Sequence, residues 1–254
     1  MEITREEWQN YINGLEMIST SVKELTLKYI ETHDVKSDEG RQALIDFCYG
    51  LSSKYGEAAA EFACQMYDAI SALEGAETEP AEPAETATYS EVAKAVNGTL
   101  KALMYAEMVS GAVSRLVKLA GQDTTLQNAI RDKAYYAWIP VGDTCPFCLS
   151  IAAEGWKKAT ENALKGGHAE HIHGNCNCAY SIKHDKETNY GFYKPDVYAK
   201  IFEKAEGSTE EEKLNSVRRI AYQRNKEEIN AQKRSNYEKS KELESSEAEE
   251  INVN

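Results

Sequence analysis

The chain has 254 residues, 42% of them hydrophobic, with a formal net charge of −13 and a pI near 5.0. Such a length and apolar content suffice for one large or two small packed domains and exclude a wholly disordered chain. The surplus of carboxylates repels phosphate over most of the surface, which disfavours a large nucleic-acid footprint, although a local basic stretch can still touch DNA.

The N-terminus has no basic region followed by an apolar block. No uninterrupted apolar run approaches the roughly 18 residues a membrane span needs, so a soluble, cytosolic protein is expected. Thr4 and Glu7 form a capping box, which predicts a helix start. Trp8, Tyr11, Ile12, Leu15, Ile18, Val22, Leu25 and Tyr29 then recur at helical spacing on one face. A second helix is predicted over 41–51, with Leu44, Phe47, Cys48 and Leu51 inward. A third is predicted over 57–73, with Ala59, Phe62, Ala63, Met66, Tyr67 and Ile70 inward. Cys48 and Cys64 fall on these apolar faces and read as small core residues rather than ligands.

Residues 74–88 contain no large apolar side chain and repel one another, which predicts a flexible acidic linker between helical regions 1–73 and 89–135. Helical periodicity resumes with Leu100, Leu103, Met104, Val113, Leu116 and Val117, followed by a short helix over 125–135. The segment 137–141 reads as extended because Pro140 cannot sit inside a helix. Ala179–Lys183 reads as a short strand and 190–198 as an aromatic loop, both inside an α+β region over 136–204. A charged helix is predicted over about 209–237 within a charged C-terminal helical segment 205–241, where Leu214, Val217, Ile220 and Ala221 can dock and 223–241 is more basic than the rest, and 242–254 as a disordered acidic tail. The expected fold class is mostly α, with a small α+β zinc-knuckle region near the C-terminal third.

The chemistry lies in the remaining cysteines. Asp143-Thr-Cys-Pro-Phe-Cys148 provides a Cys-x2-Cys pair, the spacing that lets two thiolates from one tight turn reach a single tetrahedral ion. The second half, His168-Ala-Glu-His-Ile-His-Gly-Asn-Cys-Asn-Cys178, provides His173-x2-Cys176 and Cys178. A structural zinc ion is therefore expected on Cys145, Cys148, His173 and one of Cys176 or Cys178. The spacing slightly favours Cys176, while the alternative uses Cys178 and leaves Cys176 facing away. His168 and His171 exceed what a closed site needs. Zinc binding of this kind contributes roughly 10 kcal/mol or more, large beside the 5 to 15 kcal/mol of a whole domain.

Two enzyme readings compete. His168-Ala-Glu170 and Cys145-Pro-Phe-Cys148 echo zinc deaminases, but the two elements stand in the wrong order. An HNH-like zinc-containing nuclease acting on DNA, using His168, His171, His173 and Asn175, is the main alternative. It usually needs two Cys-x2-Cys pairs and sits poorly with the acidic charge. Phosphate-binding loops and serine-nucleophile elbows are absent from the sequence.

The run Trp138-Ile-Pro-Val-Gly-Asp-Thr-Cys-Pro-Phe-Cys148, then Gly155-Trp156, then His173-Gly-Asn-Cys-Asn-Cys178, resembles the phage Mu F-type minor head proteins. Asp143, Cys145, Cys148, Gly155, His173, Cys176 and Cys178 carry the likeness over about 135–183. Gly174 and Asn177 depart from it, where that family usually has proline and often arginine. The resemblance implies a non-enzymatic minor capsid or head morphogenesis protein. Its partners would be the phage portal, scaffold or major capsid protein, and packaged DNA weakly, without membrane or small-molecule substrate. Its place would be the virion, and the host cytoplasm during assembly.

Overall fold

The computed structural model describes residues 2–98, 104–141, 145–165, 176, 178–185, 190–224 and 226. The described fold is mostly helical with one small sheet. Helix α1 covers Arg5–Thr32 and starts at the predicted capping box. The Thr4 hydroxyl accepts from the Glu7 N–H, and the Glu7 carboxylate accepts from the Thr4 N–H at 2.8 Å. Its buried stripe runs Trp8, Tyr11, Ile12, Leu15, Ser19, Val22 and Thr26. Leu25, expected inward, is exposed. Thr26 takes its place, with its hydroxyl donating back to the Val22 carbonyl at 2.8 Å.

The two helices predicted over 41–51 and 57–73 are one, α2, covering Asp38–Glu74. No proline interrupts residues 52–56, and a single glycine there costs only about 1 kcal/mol of helix propensity. Tertiary packing outweighs that cost: Ser52 and Gly56 are buried, with Thr86 directly above Gly56. The helix stops at Gly75, whose left-handed φ of 69° turns the chain and lets its N–H close on the Ala72 carbonyl.

Residues 75–88 are not the free linker expected from their composition. They cross helix α4, which covers Tyr105–Arg131, as a hydrogen-bonded strap. The Glu82 N–H donates to Asn128 Oδ1 at 2.9 Å while Asn128 Nδ2 donates to the Glu82 carbonyl at 2.8 Å. The Ala84 N–H donates to the Thr124 hydroxyl, the Ala81 N–H donates to Asp68, and the Arg131 guanidinium reaches the Glu79 and Pro80 carbonyls. Composition predicts freedom because it counts only apolar side chains; these bonds are made by the backbone. Helix α3, Tyr89–Gly98, follows, started by a second capping box between Thr88 and Glu91.

Helix α4 packs on both α1 and α2. A side chain at Gly121 would meet the Ala59 carbonyl oxygen at 3.1 Å, so glycine permits the close approach of α4 to α2. Of the predicted periodic positions, Leu100 and Leu103 lie outside the described residues. The short helix predicted over 125–135 is the end of α4, and Tyr135 belongs to strand β1, Tyr135–Ile139, two residues before the predicted extended segment. Then come α5 (Pro146–Ala153), β2 (Lys157–Lys158), α6 (Glu161–Lys165) and β3 (Ala179–Lys183), the last as predicted. The sheet order is β2-β1-β3, antiparallel throughout, with Trp138 opposite Tyr180 and Ile139 opposite Ala179. Helix α7, Pro195–Glu203, takes up the end of the predicted aromatic loop. Helix α8, Glu210–Arg224, docks through Ser216 and Val217, whereas Ile220 is exposed. The remainder of the helix predicted over 209–237, apart from residue 226, and the predicted tail 242–254 lie outside the described residues.

The outer edge of β3 is closed by side chains. The Tyr180 N–H donates to Gln122 Oε1 at 2.8 Å, the Tyr190 hydroxyl donates to the Ile182 carbonyl, and the His184 N–H donates to Glu74 Oε2 at 2.6 Å. These alternate residues expose their backbone groups on the side away from β1, and the three side chains satisfy them. One hydrophobic core joins α1, α2, α4, the sheet, Tyr190 and Tyr193, so the predicted α+β region shares its core with the helical regions.

Asn128→Ala is expected to lower unfolding free energy by about 1–3 kcal/mol in urea titrations and to expose 75–88 to limited proteolysis; a strap equally protected in the variant would refute its anchoring role. Asp123, on α4, has its carboxyl pushed up to about 6 from an ordinary 3.8 by burial and the Glu91 carboxylate. The folded state therefore holds that proton more tightly than the unfolded chain. The favourable contribution is present below about pH 4 and is lost as pH rises through about 6. Asp123→Asn should be the more stable protein at pH 7, by roughly 2–3 kcal/mol, with the advantage vanishing toward pH 4. A pH-independent difference in unfolding free energy would contradict this.

Candidate metal centre

The first half of the site is a helix start. Cys145 caps α5 with its sulfur accepting from the Cys148 N–H at 3.4 Å, and Pro146 sits at the first helical position, where a missing N–H costs nothing. This geometry places the sulfurs of residues i and i+3 on the same side of the cap. Gly155, with φ of 70°, ends the turn, and Trp156 then packs edge-on against Tyr190 and Tyr193 at 5.0 and 5.6 Å. The Tyr193 hydroxyl donates to the Ala152 carbonyl at 2.7 Å and fixes the end of α5.

The second half precedes β3. Cys178 is the residue before the strand, Cys176 lies two earlier in sequence, and both are buried. Helix α4 holds this segment: Lys118 Nζ donates to the Cys176 carbonyl at 2.8 Å, and Gln122 receives the Tyr180 N–H. Leu126, Trp138 and Tyr180 complete a small apolar cluster around the sulfurs, with Trp138 and Tyr180 edge to face at 4.7 Å.

The sulfurs of Cys148, Cys176 and Cys178 lie within 4.8 Å of one another and are buried, and those of Cys148 and Cys176 are 3.4 Å apart. Ligand sulfurs about 2.3 Å from a tetrahedral ion stand roughly 3.8 Å from each other, so this group can hold a metal ion. Cys145 flanks it, hydrogen-bonded to Cys148. The electrostatics of the metal-free thiols point the same way. The Cys148 thiol is pushed far above the ordinary range by its contacts with Cys145, Cys176 and Cys178 and by burial. Cys178 is drawn down by Cys148 but pushed up further by Cys176 and burial, to about 12. Packed thiols cannot ionise together, and a divalent cation at their centre reverses that balance.

Of the expected ligands, the structure brings together Cys148, Cys176 and Cys178, and Cys145 stands beside Cys148 outside that group. Cys176 does not face away as the alternative had it: its sulfur is grouped with those of Cys148 and Cys178. His173, with Asp143, His168, His171, Gly174, Asn175 and Asn177, lies outside the described residues. Cys48 and Cys64 are buried on α2 apart from the cluster, with burial pushing Cys48 up to about 12, as expected for inert core thiols. Lys118 and Gln122 were not anticipated as site residues. Their four-residue spacing on α4, continued by Leu126, is the sequence signal that marks the face turned to the site. The Cys145-Pro146 pair could likewise have announced α5.

A mostly helical protein with a small antiparallel sheet and a buried cysteine group able to hold a metal ion is the class that fold and site define. The chain belongs to the VG15 protein family, a phage-encoded family that it matches over residues 2–205. No curated protein and no solved structure matches the chain. Among the described residues, no helix is long and apolar enough to cross a membrane.

Elemental analysis of the purified protein should find one equivalent of divalent metal per chain, and Cys148→Ser should lose it together with a lowered thermal midpoint. Metal content unchanged by Cys148→Ser would place the ion elsewhere.

Proposed function

We propose that this phage protein is a minor structural component of the virion head, a head morphogenesis protein that uses a structural zinc ion to staple its C-terminal third. The observation that carries the reading is the burial of Cys148, Cys176 and Cys178 in one group, in a small apolar cluster with Trp138, Tyr180 and Leu126 of α4. Zinc is the ion that suits it: thiolates are soft ligands, a tetrahedral set imposes no cost on a metal without geometric preference, and zinc carries no redox chemistry. Cys145, Cys148, Cys176 and Cys178 are the proposed ligands, and His173 is not needed for a closed set. A set closed by four protein ligands has no open position for substrate or activated water, which supports a structural rather than a catalytic role.

The long α1, α2 and α4 helices provide the docking surface in this reading, and the portal, scaffold or major capsid protein of the same phage is the partner. The strap adds Glu77, Glu79, Glu82 and Glu85 to that surface, which fits a protein partner better than packaged DNA.

The test has two arms. The protein, tagged and expressed during infection, should copurify with assembling heads and be retained in mature particles, and Cys148→Ser should reduce incorporation. Metal-dependent cleavage of DNA by the purified protein, abolished in His171→Ala without loss of fold, would replace this reading with the nuclease one.

A further inference from the structure

We propose that Lys118 is the charge-balancing residue of the metal centre, a fixed cation on the helical bundle that lets the four-thiolate site be buried. The inference rests on the four-cysteine zinc reading above and extends it to a residue outside the ligand segments.

Four thiolates around a divalent cation leave two net negative charges. Burying uncompensated charge is expensive, and a chain with a net charge of −13 offers little general relief. The compensation must therefore be local and positive. Lys118 is half-buried on α4, and its ammonium donates to the Cys176 carbonyl at 2.8 Å. Its electrostatic neighbours are Cys176, then Glu16 and Lys23 of α1, then Cys178. The bond to the Cys176 carbonyl holds the ammonium beside the segment that carries Cys176 and Cys178, close enough to interact electrostatically with both. Neighbours of this kind around a metal typically change affinity 10- to 100-fold when removed.

A tether and a counter-charge are different roles, and substitutions separate them. Lys118→Gln keeps a hydrogen-bond donor and removes the charge, whereas Lys118→Arg keeps the charge. Zinc-loaded full-length proteins would be challenged with a chromophoric chelator, following the rate and midpoint of zinc transfer. Cobalt(II)-loaded samples would report through their thiolate-to-metal absorption whether the ligand set is unchanged. We expect Lys118→Gln to release zinc about 10- to 100-fold more readily, Lys118→Arg to hold it within a few-fold of the parent, and both to keep the cobalt spectrum. Stability of the metal-free form should fall little in Lys118→Gln, since the charge matters only when the centre is loaded. Equal retention by Lys118→Gln and parent, or equal destabilisation of loaded and metal-free forms, would overturn the assignment. Glu16→Gln, at an exposed position, gives a second reading that does not depend on Lys118→Gln folding. Removing the carboxylate that shares the ammonium should slow zinc loss, and unchanged or faster loss counts against the proposal. A parent protein that binds no metal would overturn both this inference and the zinc site itself, whereas a parent that binds one ion with no dependence on Lys118 would overturn the inference alone.

Discussion

Laying extended chain against a helix removes water from backbone N–H and C=O groups that the helix's own backbone cannot satisfy, and the side chains of the C-terminal half of α4, from Lys118 to Arg131, answer that constraint. Thr124, Asn128 and Arg131 bind the strap after α2, Gln122 closes the edge of β3, and Lys118 holds the segment that carries Cys176. Without those bonds the strap and the cysteine strand would lie against apolar helices with unpaired polar backbone, each group costing about 1–3 kcal/mol. The bundle, the strap and the cysteine site are therefore parts of one arrangement, joined through a single helix.

The cysteine cluster is the second joint. Its two halves come from the start of α5 and the start of β3, with β2 and α6 between them in sequence. Only β1, paired with β3 and followed by α5, brings them together. Hydrophobic burial around the cluster is modest, with Leu126, Trp138 and Tyr180 as its largest buried members. A metal ion contributing roughly 10 kcal/mol would outweigh that packing.

Much of this was legible in the sequence. The capping box at Thr4 and Glu7 fixed the start of α1 to the residue, because a cap is a local chemical event. The strand Ala179–Lys183 and the gathering of Cys145 and Cys148 followed from spacing, and the core placement of Cys48 and Cys64 followed from periodicity. What failed did so for a common reason. The acidic strap, the break predicted within α2 and the inward placement of Leu25 were all judged from side-chain composition, whereas the outcome was set by backbone partners and by packing against distant residues such as Thr86 and Asn128.

The sequence by itself determined the helical class and the main helix start, since each depends on residues within a turn or two of one another. Tertiary structure alone decided that Cys176 and Cys178 both join Cys148, that a lysine and a glutamine from α4 support them, and that the acidic segment is a strap. Those outcomes depend on contacts between residues about 30 to 60 positions apart, whose partners are chosen by tertiary packing rather than by any local pattern.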